Sequence, residues 1–487
     1  MKLRVVALHT AFALALWFLG TLVYVAKFVG FSQPLWFAID SVIVVACFGL
    51  VFWRWEELGI RVVTRLQLVA IIAVSTYCAY KVLAIVPDRH WMAMDETQYL
   101  ATLREGTLRM DGPNAFMPFN MRWLLPILAG PLNIIPADDM AALAALNLGG
   151  IVVTAVYLAL LLRRIGVRYS LALLSPVFLL SSFLGEFTGI DRLVVDPMNY
   201  AFYVLIFHAF LRREHARLLA VLLLIAGFNS EKTLYWIPVL GCAELLRRER
   251  PWSLSDIKAS AIYMLKVGGP FLAYLALLLF LLRNTTAPDN YSYIQHLHQM
   301  SPTWIQVDIT KWPVPESRFQ LYWFPFGGFT VYTLLALRIA PKWITTVALM
   351  LLPIYVQPLF SYDMERMIAY SFVIYLPLGV YFLEHAFRSF PRWLPPVLTV
   401  LLVGLAVSQR YLVYLEIIPP VASPSRFVKL VMSSTEILLI ATIVYLHLVV
   451  FRDDGKAAPS IAGEHEEEHH QADDGRDAEA AIREAAR

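Results

Sequence analysis

The stretch Met140–Leu162, MAALAALNLGGIVVTAVYLALLL, is followed directly by Arg163-Arg164. It contains no charged residue, and a helix needs about 20 apolar residues in a row to cross the hydrocarbon layer of a bilayer. Positive residues collect on the cytoplasmic side of such helices, so the two arginines mark the end that faces the cytoplasm. The stretch therefore predicts a transmembrane helix whose C-terminal end is cytoplasmic.

Comparable apolar stretches recur from Val5 to Phe451. Only 16% of the 487 residues are charged and 59% are hydrophobic, whereas soluble domains carry about 25% charged residues. This composition predicts an all-α polytopic integral membrane protein with about 12–14 transmembrane helices. The predicted membrane domain covers residues 1–451, and its spans include 171–184, 198–211 and 262–282. Nothing in the composition indicates nucleic-acid binding; the expected surroundings are membrane lipids.

Basic residues define the predicted topology. Lys2 and Arg4 place the N-terminus in the cytoplasm, and the alternation of spans places two long loops, 87–139 and 283–324, on the extracytoplasmic face. Within the first loop, the apolar and proline-containing stretch 121–136 predicts a helix that lies at the outer membrane surface or dips into the membrane and back.

The C-terminal residues 452–487 are charged and rich in alanine, which predicts a disordered cytoplasmic tail. Its tract Glu464–His470, EHEEEHH, is of a kind that binds metals, but a solvated tail fits the composition better. The three cysteines predict neither a disulfide framework nor a zinc site, because none has a partner at metal-ligand spacing. They are Cys47, Cys78 and Cys242.

Polar residues at the ends of the predicted spans converge on the extracytoplasmic face. Ionisable groups in such places line cavities or pair with one another, so their convergence predicts one site. Tyr99 joins the set because it lies one helical turn from Asp95. The candidate residues are Asp95, Glu96, Tyr99, Arg122, Asp191, Asp196, Glu231, Lys232, Asp363 and Arg366.

Asp95 has two compatible interpretations. The spacing Asp95-x-x-Gln98 is typical of a capping box that opens a helix, with Asp95 as the N-cap residue. A carboxylate at a partly dehydrated surface is also suited to act as a general base. Such a base needs a pKa that allows proton transfer and must reach the proton that it removes. An N-cap would hold that carboxylate rigidly, so one role supports the other.

The acidic residues before span 198–211 also have two interpretations. Asp191 and Asp196 form either a turn or a second acid that orients the acceptor or supports the first acid. Glu231 and Lys232 interrupt two short apolar halves and form either an ion pair at a helix break or a phosphate contact through Lys232.

The remaining candidates include two arginines, Arg122 and Arg366, that could bind phosphate. Asp363 and Arg366 have the i, i+3 spacing of a local salt bridge. The alternative is that Arg366 binds phosphate, for which its planar guanidinium is well suited, and Arg122 has the same alternative.

The stretch Trp91–Gly106 contains Asp95-Glu96-Thr97-Gln98-Tyr99 and then Leu103-Arg104-Glu105-Gly106. It resembles the acidic first-loop motif of GT-C membrane glycosyltransferases, most closely the aminoarabinose transferases and protein O-mannosyltransferases. The resemblance implies a GT-C-like bundle with surface helices in the first loop.

It also implies transfer of a sugar from a polyprenyl-phosphate donor to a lipid, glycan or protein acceptor. Asp95, in a pair with Glu96, would deprotonate the acceptor for inverting in-line attack, and Lys232, Arg366 and Arg122 would hold the leaving phosphate. The expected location is a bacterial cytoplasmic membrane, with the active site extracytoplasmic and both termini cytoplasmic.

A divalent cation is compatible with this site but not required by it. Asp95, Glu96 and Asp191 offer the oxygen ligands that Mg²⁺ prefers, and Mn²⁺ takes similar ligands.

Two other functions fit a polytopic protein. A lipid-linked glycan flippase or transporter would use charges inside the bundle and often shows inverted repeats. A glycan polymerase or ligase would rely on loop residues such as His296, His298 and Arg318. The gathering of charges at one surface favours the glycosyltransferase.

Overall fold

The computed structural model describes residues 72, 76, 99–100, 102–104, 122–133, 139–180, 182, 184, 194–248, 252–282, 326, 328–340, 369–402 and 437–451. Every regular element in these ranges is helical, which confirms the predicted all-α class for the described part of the chain. The loop 283–324, the tail 452–487 and two cysteines, Cys47 and Cys78, lie outside these residues. Cys242 is half-buried and forms no disulfide.

The described ranges contain α-helices, one 3₁₀ turn and one π-helical turn. In chain order they are α1 (Leu124–Asn133), α2 (Asp139–Arg164), α3 (Tyr169–Ala172), α4 (Ser175–Leu180), α5 (Asp196–Leu211), α6 (Ala216–Asn229), a 3₁₀ turn (Glu231–Tyr235), α7 (Trp236–Leu246), α8 (Leu254–Leu282), α9 (Phe329–Ala336), α10 (Phe372–Ser389), α11 (394–402) and α12 (437–445), which runs into a π-helical turn (Leu446–Val450).

The prediction from Met140–Leu162 is confirmed as a helix, α2. Asp139 lies in its first turn and Arg163 and Arg164 in its last, where each charge is favourable to the helix dipole. The helix ends in a Schellman motif: the N–H of Gly166, at φ 88°, donates to the carbonyl of Arg163, and the N–H of Val167 donates to that of Leu162. Glycine adopts this left-handed conformation without strain.

Helix α5 ends in the same motif without a glycine. Arg213 occupies the left-handed position at φ 55°. Its N–H donates to the carbonyl of Phe210 and the N–H of Glu214 donates to that of Ala209. A non-glycine residue in this conformation costs about 1 kcal/mol or more, so the chain retains some strain here.

The predicted span 171–184 is not one continuous helix. It forms α3 and α4, separated at Leu173 and Leu174. Pro176 lies at the second position of α4, and proline has no N–H with which to continue the hydrogen bonds of α3.

Helices α2, α5 and α10 form the centre of the bundle, and α9 packs along α10. Gly150 permits the close contact of α2 with α5, since a Cβ atom there would lie 2.8 Å from the carbonyl oxygen of Pro197. Aromatic rings fill the contact of α4 and α9, where Phe178 and Phe329 meet edge to face at 4.9 Å.

Helix α8 lies against α6 and α7 and leaves most of its length exposed. It opens with a capping box: the hydroxyl of Ser253 accepts from the N–H of Asp256, and the carboxylate of Asp256 accepts from the N–H of Ser253. The exposed side chains are large and apolar, among them Leu265, Leu277 and Phe280.

Within the described residues, two helices are long and apolar enough to cross a membrane, Asp139–Arg164 and Leu254–Leu281. Shorter apolar helices cover Tyr169–Leu180, Ala216–Asn229 and Ile437–Val450.

Arginines gather at one end of the bundle. Arg164 donates to the carbonyl of Leu211 at 2.9 Å, and Arg247 donates to that of Phe210 at 2.7 Å. Glu384 accepts from Arg168 at 2.9 Å. We call this the basic end; its arginines are Arg163, Arg164, Arg168, Arg212, Arg213, Arg247, Arg248 and Arg388.

Candidate functional site

A second set of charges lies at the opposite end of the same helices. Helix α5 begins at Asp196 and finishes at the basic end, whereas α6 begins near the basic end and finishes at Asn229. The start of α5 and the break between α6 and α7 therefore meet. We call this the charged end; its residues are Tyr99, Arg122, Asp196, Asn199, Asn229, Glu231, Lys232 and Tyr370.

Arg122 forms a bidentate pair with Glu231. Its Nε donates to Oε2 at 2.9 Å and its Nη2 to Oε1 at 2.5 Å. The remaining terminal nitrogen, Nη1, donates to the hydroxyl of Tyr99 at 3.3 Å. Arg122 is 5% exposed. One buried guanidinium thus joins three separate segments of the chain.

The neighbouring residue fixes where Arg122 lies. The indole N–H of Trp123 donates to the hydroxyl of Tyr274 at 2.7 Å, and its ring stacks on Phe228 at 4.7 Å. Helix α1 is thereby held against α8 and α6.

The ionisation of Glu231 depends on Arg122. Burial raises the pKa of the Glu231 carboxyl, but the charge and hydrogen bonds of Arg122, with a further contribution from Lys232, outweigh burial. The pKa of Glu231 is therefore below its ordinary value, and the pair is ionic at neutral pH.

Lys232 and Asp196 form the second ion pair, with Nζ 3.7 Å from Oδ1. Asp196 is fully buried and Lys232 is 8% exposed. The same Asp196 oxygen accepts a short hydrogen bond from the hydroxyl of Tyr370, and Nζ of Lys232 lies 4.7 Å from the centre of the Tyr370 ring. Asp196 is also the first residue of α5, where the helix dipole favours a negative charge.

Two buried amides complete the network. Asn199 donates to the hydroxyl of Tyr370 at 3.1 Å. Asn229 donates to the side-chain oxygen of Asn199 at 2.7 Å and to the carbonyl of Val195 at 2.9 Å. These bonds tie the end of α6 to the start of α5, and both to Tyr370, which lies two residues before the first residue of α10.

At Asn229–Thr233 the chain leaves α6 and begins a new helical segment, with Ser230 as its N-cap residue. Ser230 is extended, at φ −162° and ψ 136°, and its side chain accepts from the N–H of Lys232. The predicted break is confirmed, and it turns Glu231 and Lys232 to different partners, Arg122 and Asp196 respectively.

A small apolar cluster, separate from the main core, holds the segment that contains Tyr99 against α1 and α2. Tyr99 and Leu100 pack there with Leu125 of α1 and Leu143 of α2. Arg104 adds an exposed ion pair to Asp139 at 2.6 Å.

No family model, no curated protein sequence and no solved structure matches this chain.

The structure brings together five of the ten predicted residues: Tyr99, Arg122, Asp196, Glu231 and Lys232. The other five lie outside the described residues: Asp95, Glu96, Asp191, Asp363 and Arg366. No group of three or more His, Cys, Asp or Glu side chains that could hold a metal occurs in the ranges described above. The predicted cation ligands Asp95, Glu96 and Asp191 are not among those residues.

Sequence reasoning missed Tyr370, Asn199 and Asn229. The asparagines had a signal, since each lies at one end of a largely apolar helix, α5 or α6, and an amide there needs partners when it is buried. Tyr370 had none, because it is one of 23 tyrosines in the chain.

Proposed function

We propose that this chain is an integral-membrane glycosyltransferase of the GT-C type. It moves a sugar from a polyprenyl-phosphate donor to a lipid, glycan or protein acceptor at the extracytoplasmic face of a bacterial cytoplasmic membrane. The observation that carries the proposal is the bidentate pair of Arg122 and Glu231. Through Tyr99 this pair joins the segment that follows Asp95-Glu96 to the helix break that contains Lys232.

The membrane part of the proposal rests on the two ends of the bundle. Arginines gather at one end, as on the cytoplasmic side of membrane proteins, and the buried ion pairs lie at the other. The exposed apolar face of α8 is the kind of surface that faces lipid, since a soluble protein rarely exposes so large an apolar patch.

Chain connectivity supports the assignment of the base. Asp95 precedes Tyr99 by four residues, so their Cα atoms are at most about 14 Å apart. Tyr99 is bonded to Arg122, which is bonded to Glu231, the neighbour of Lys232. A single substrate could therefore contact a base at Asp95 and place its phosphate at Lys232.

In the proposed reaction Asp95 takes the proton of the acceptor nucleophile as that atom attacks the anomeric carbon. The new glycosidic bond forms while the bond from that carbon to the phosphate oxygen breaks, and the electron pair leaves with the lipid phosphate. Attack opposite the leaving group inverts the anomeric centre. Lys232, Arg122 and Arg366 offset the charge of the phosphate.

The other carboxylates have supporting roles in this proposal. Glu96 is the alternative base, Asp191 orients the acceptor, and Asp363 pairs with Arg366. Asp196 and Glu231 hold Lys232 and Arg122 in place. Asp95, Glu96 and Asp191 are the oxygen ligands that a Mg²⁺ or Mn²⁺ ion would use.

One observation favours a second function, transport of a lipid-linked glycan. Asp196 is fully buried and Lys232 nearly so, and buried ion pairs between helices also mark transport pathways. A transporter would move the lipid-linked sugar across the bilayer without cleaving the phosphate–sugar bond.

The test is sugar transfer from a panel of radiolabelled polyprenyl-phosphate sugars, in membranes containing wild type, Asp95→Asn or Glu96→Gln. We expect one of the two variants to lose about two or more orders of magnitude of transfer while it still binds the lipid, because the base is absent. Glu214→Gln, at the far basic end, is the control at matched expression. If no donor is consumed, or both variants transfer like wild type, the proposal is wrong; flux of the labelled lipid across vesicles would then indicate transport.

A further inference from the structure

Helix α8 reaches from the basic end of the bundle to the charged end. Asp256, in its first turn, pairs with Arg248 of the basic end at 3.1 Å. Tyr274, further along the helix, accepts from Trp123, the neighbour of Arg122 at the charged end. Its 29 residues make a helix about 43 Å long, whereas the hydrocarbon layer of a bilayer is about 30 Å thick. Part of α8 must therefore lie outside that layer if the helix crosses a membrane.

Two lysines mark the place where α8 would enter the membrane. Within the predicted span 262–282, Lys266 is the single charged residue. It lies about one turn inside the cytoplasmic end of that span, and Lys258 lies about one turn outside it. Tyr263 lies at the same boundary, where aromatic residues with a polar group are enriched in membrane proteins. The two lysines therefore lie on either side of the level at which hydrocarbon meets the phospholipid headgroups.

Both lysines are on the exposed side of α8. Lys258, Ile262 and Lys266 follow one another at i, i+4 and i+8, which is the spacing of one helical face, and all three are exposed. The exposed side continues towards the charged end with Leu277 and Phe280, each 57% exposed. The opposite side of the helix packs on α6 and α7. A lipid molecule therefore meets both cations and the apolar surface on one side of α8.

The carboxylates near the start of α8 do not neutralise these lysines. Asp256 and Glu244 are both paired with Arg248, at 3.1 and 3.9 Å. In the part of the chain that the structure describes, no ion pair or hydrogen bond involves Lys258 or Lys266. The exposed side of α8 thus carries two positive charges that are not balanced by the protein residues described.

An ammonium group at the edge of the hydrocarbon layer is stabilised by the headgroup region. A lysine is costly in hydrocarbon, and its long side chain extends to the interface instead. Side chains of a helix lean towards its N-terminus, which for α8 is the basic end, so Lys266 leans towards the headgroups. A phosphate there accepts hydrogen bonds from the ammonium group. A zwitterionic headgroup brings its own cation, whereas an anionic one keeps a net negative charge that two lysines can balance.

We propose that Lys266 and Lys258 bind the headgroup of an anionic phospholipid of the cytoplasmic leaflet. Lys266 contacts the phosphate, Lys258 lies beside the part of the headgroup nearer the cytoplasm, and the acyl chains lie along the exposed apolar side of α8. This site requires the membrane location of the proposed function, but it does not require sugar transfer. It lies at the other end of α8 from the charged end, so its lipid is not the polyprenyl-phosphate donor.

The test is lipid binding to the full chain in detergent, measured by native mass spectrometry. Dioleoylphosphatidylglycerol is the anionic probe and dioleoylphosphatidylcholine the zwitterionic one. The test variants are Lys266→Gln and Lys258→Gln, and Lys266→Arg keeps the charge. Arg392→Gln is the matched control, since Arg392 is an exposed cation that follows α10 at the same end of the bundle. Size-exclusion elution confirms that each variant is folded.

We expect wild type to bind phosphatidylglycerol at least about tenfold more tightly than phosphatidylcholine, because each lysine near a membrane surface contributes about fivefold in affinity for anionic lipid. Each Gln variant should lose about fivefold in affinity for phosphatidylglycerol and none for phosphatidylcholine. Lys266→Arg and the control should bind both lipids like wild type.

Three results would contradict the proposed lipid site while the membrane location stands. They are equal binding of the two lipids by wild type, an unchanged preference in either Gln variant, and an equal loss in Arg392→Gln, which would indicate diffuse attraction to the whole basic end. If neither lipid binds, the membrane location is wrong as well. Sugar transfer is measured separately, so its absence leaves the result for this site unaffected.

Discussion

Replacement of Glu231 by Gln removes one charge from the pair with Arg122 and keeps the shape of the side chain. Arg122 is then a buried cation without its carboxylate. Removal of one partner from a fully buried ion pair costs about 3–5 kcal/mol. The side chains here are 6% and 19% exposed, and the amide still accepts one hydrogen bond from Arg122. We therefore expect a loss of about 2–4 kcal/mol in the free energy of unfolding.

The assay is reversible denaturant unfolding in detergent, with Glu214→Gln as the control. Glu214 pairs with Arg212 at 3.3 Å, but these side chains are 29% and 47% exposed. Such exposed pairs contribute less than about 1 kcal/mol. The double variant Arg122→Met and Glu231→Met should cost less than the sum of the single changes, since neither charge is left alone. Equal stability of Glu231→Gln and Glu214→Gln would refute the reasoning.

The same pair gives a dependence on pH. The pKa of Glu231 in the folded chain is lowered, against about 4.3 in an unfolded chain. As the pH falls, the unfolded chain takes up the proton first, so the stabilisation is complete above about pH 5 and is lost as the pH falls through the folded pKa. The stability of Glu231→Gln should lack this part of the acid dependence.

Two further changes test the backbone. Arg213→Gly should stabilise the fold by about 0.5–1 kcal/mol in the same unfolding assay, because glycine adopts the φ of 55° without strain; a destabilised variant would show that the Arg213 side chain contributes more than the strain costs. Gly150→Ala should lower the free energy of unfolding by about 1–3 kcal/mol, since the new Cβ would lie 2.8 Å from the carbonyl oxygen of Pro197. Gly149→Ala is the matched control, because a Cβ there meets no neighbouring atom within 4 Å. It should raise the free energy of unfolding by up to about 1 kcal/mol. Equal effects of the two alanines would contradict the close packing of α2 on α5.

Helix positions were predictable where the sequence pattern is local. The apolar run before Arg163-Arg164 predicted α2, and the polar interruption at Asn229–Thr233 predicted the break between α6 and α7. Boundaries were less accurate: α8 begins at Leu254, eight residues before the predicted span at 262, because a capping box at Ser253 starts the helix in polar sequence.

The pairing of charges was not predictable from the sequence. Glu231 and Lys232 are adjacent, which suggested a local pair, but their partners are 109 and 36 residues away along the chain. Which carboxylate meets which cation depends on how α1, α5 and α6 pack, and charge patterns contain no information on that packing. The sequence did predict that Tyr99, Arg122, Asp196, Glu231 and Lys232 would lie at one end, because the predicted topology puts all five on the same side.

The balance of charge at the charged end constrains what it can bind. Arg122 and Lys232 are each already paired with a carboxylate, so the four side chains have no net charge. A phosphate that binds Lys232 competes with Asp196, and one that binds Arg122 competes with Glu231. Asp196 is fixed by the start of α5 and by Tyr370, whereas Glu231 is on a short 3₁₀ turn and is partly exposed. Of the two carboxylates, Glu231 is therefore the one that a phosphate bound by both Arg122 and Lys232 would displace first.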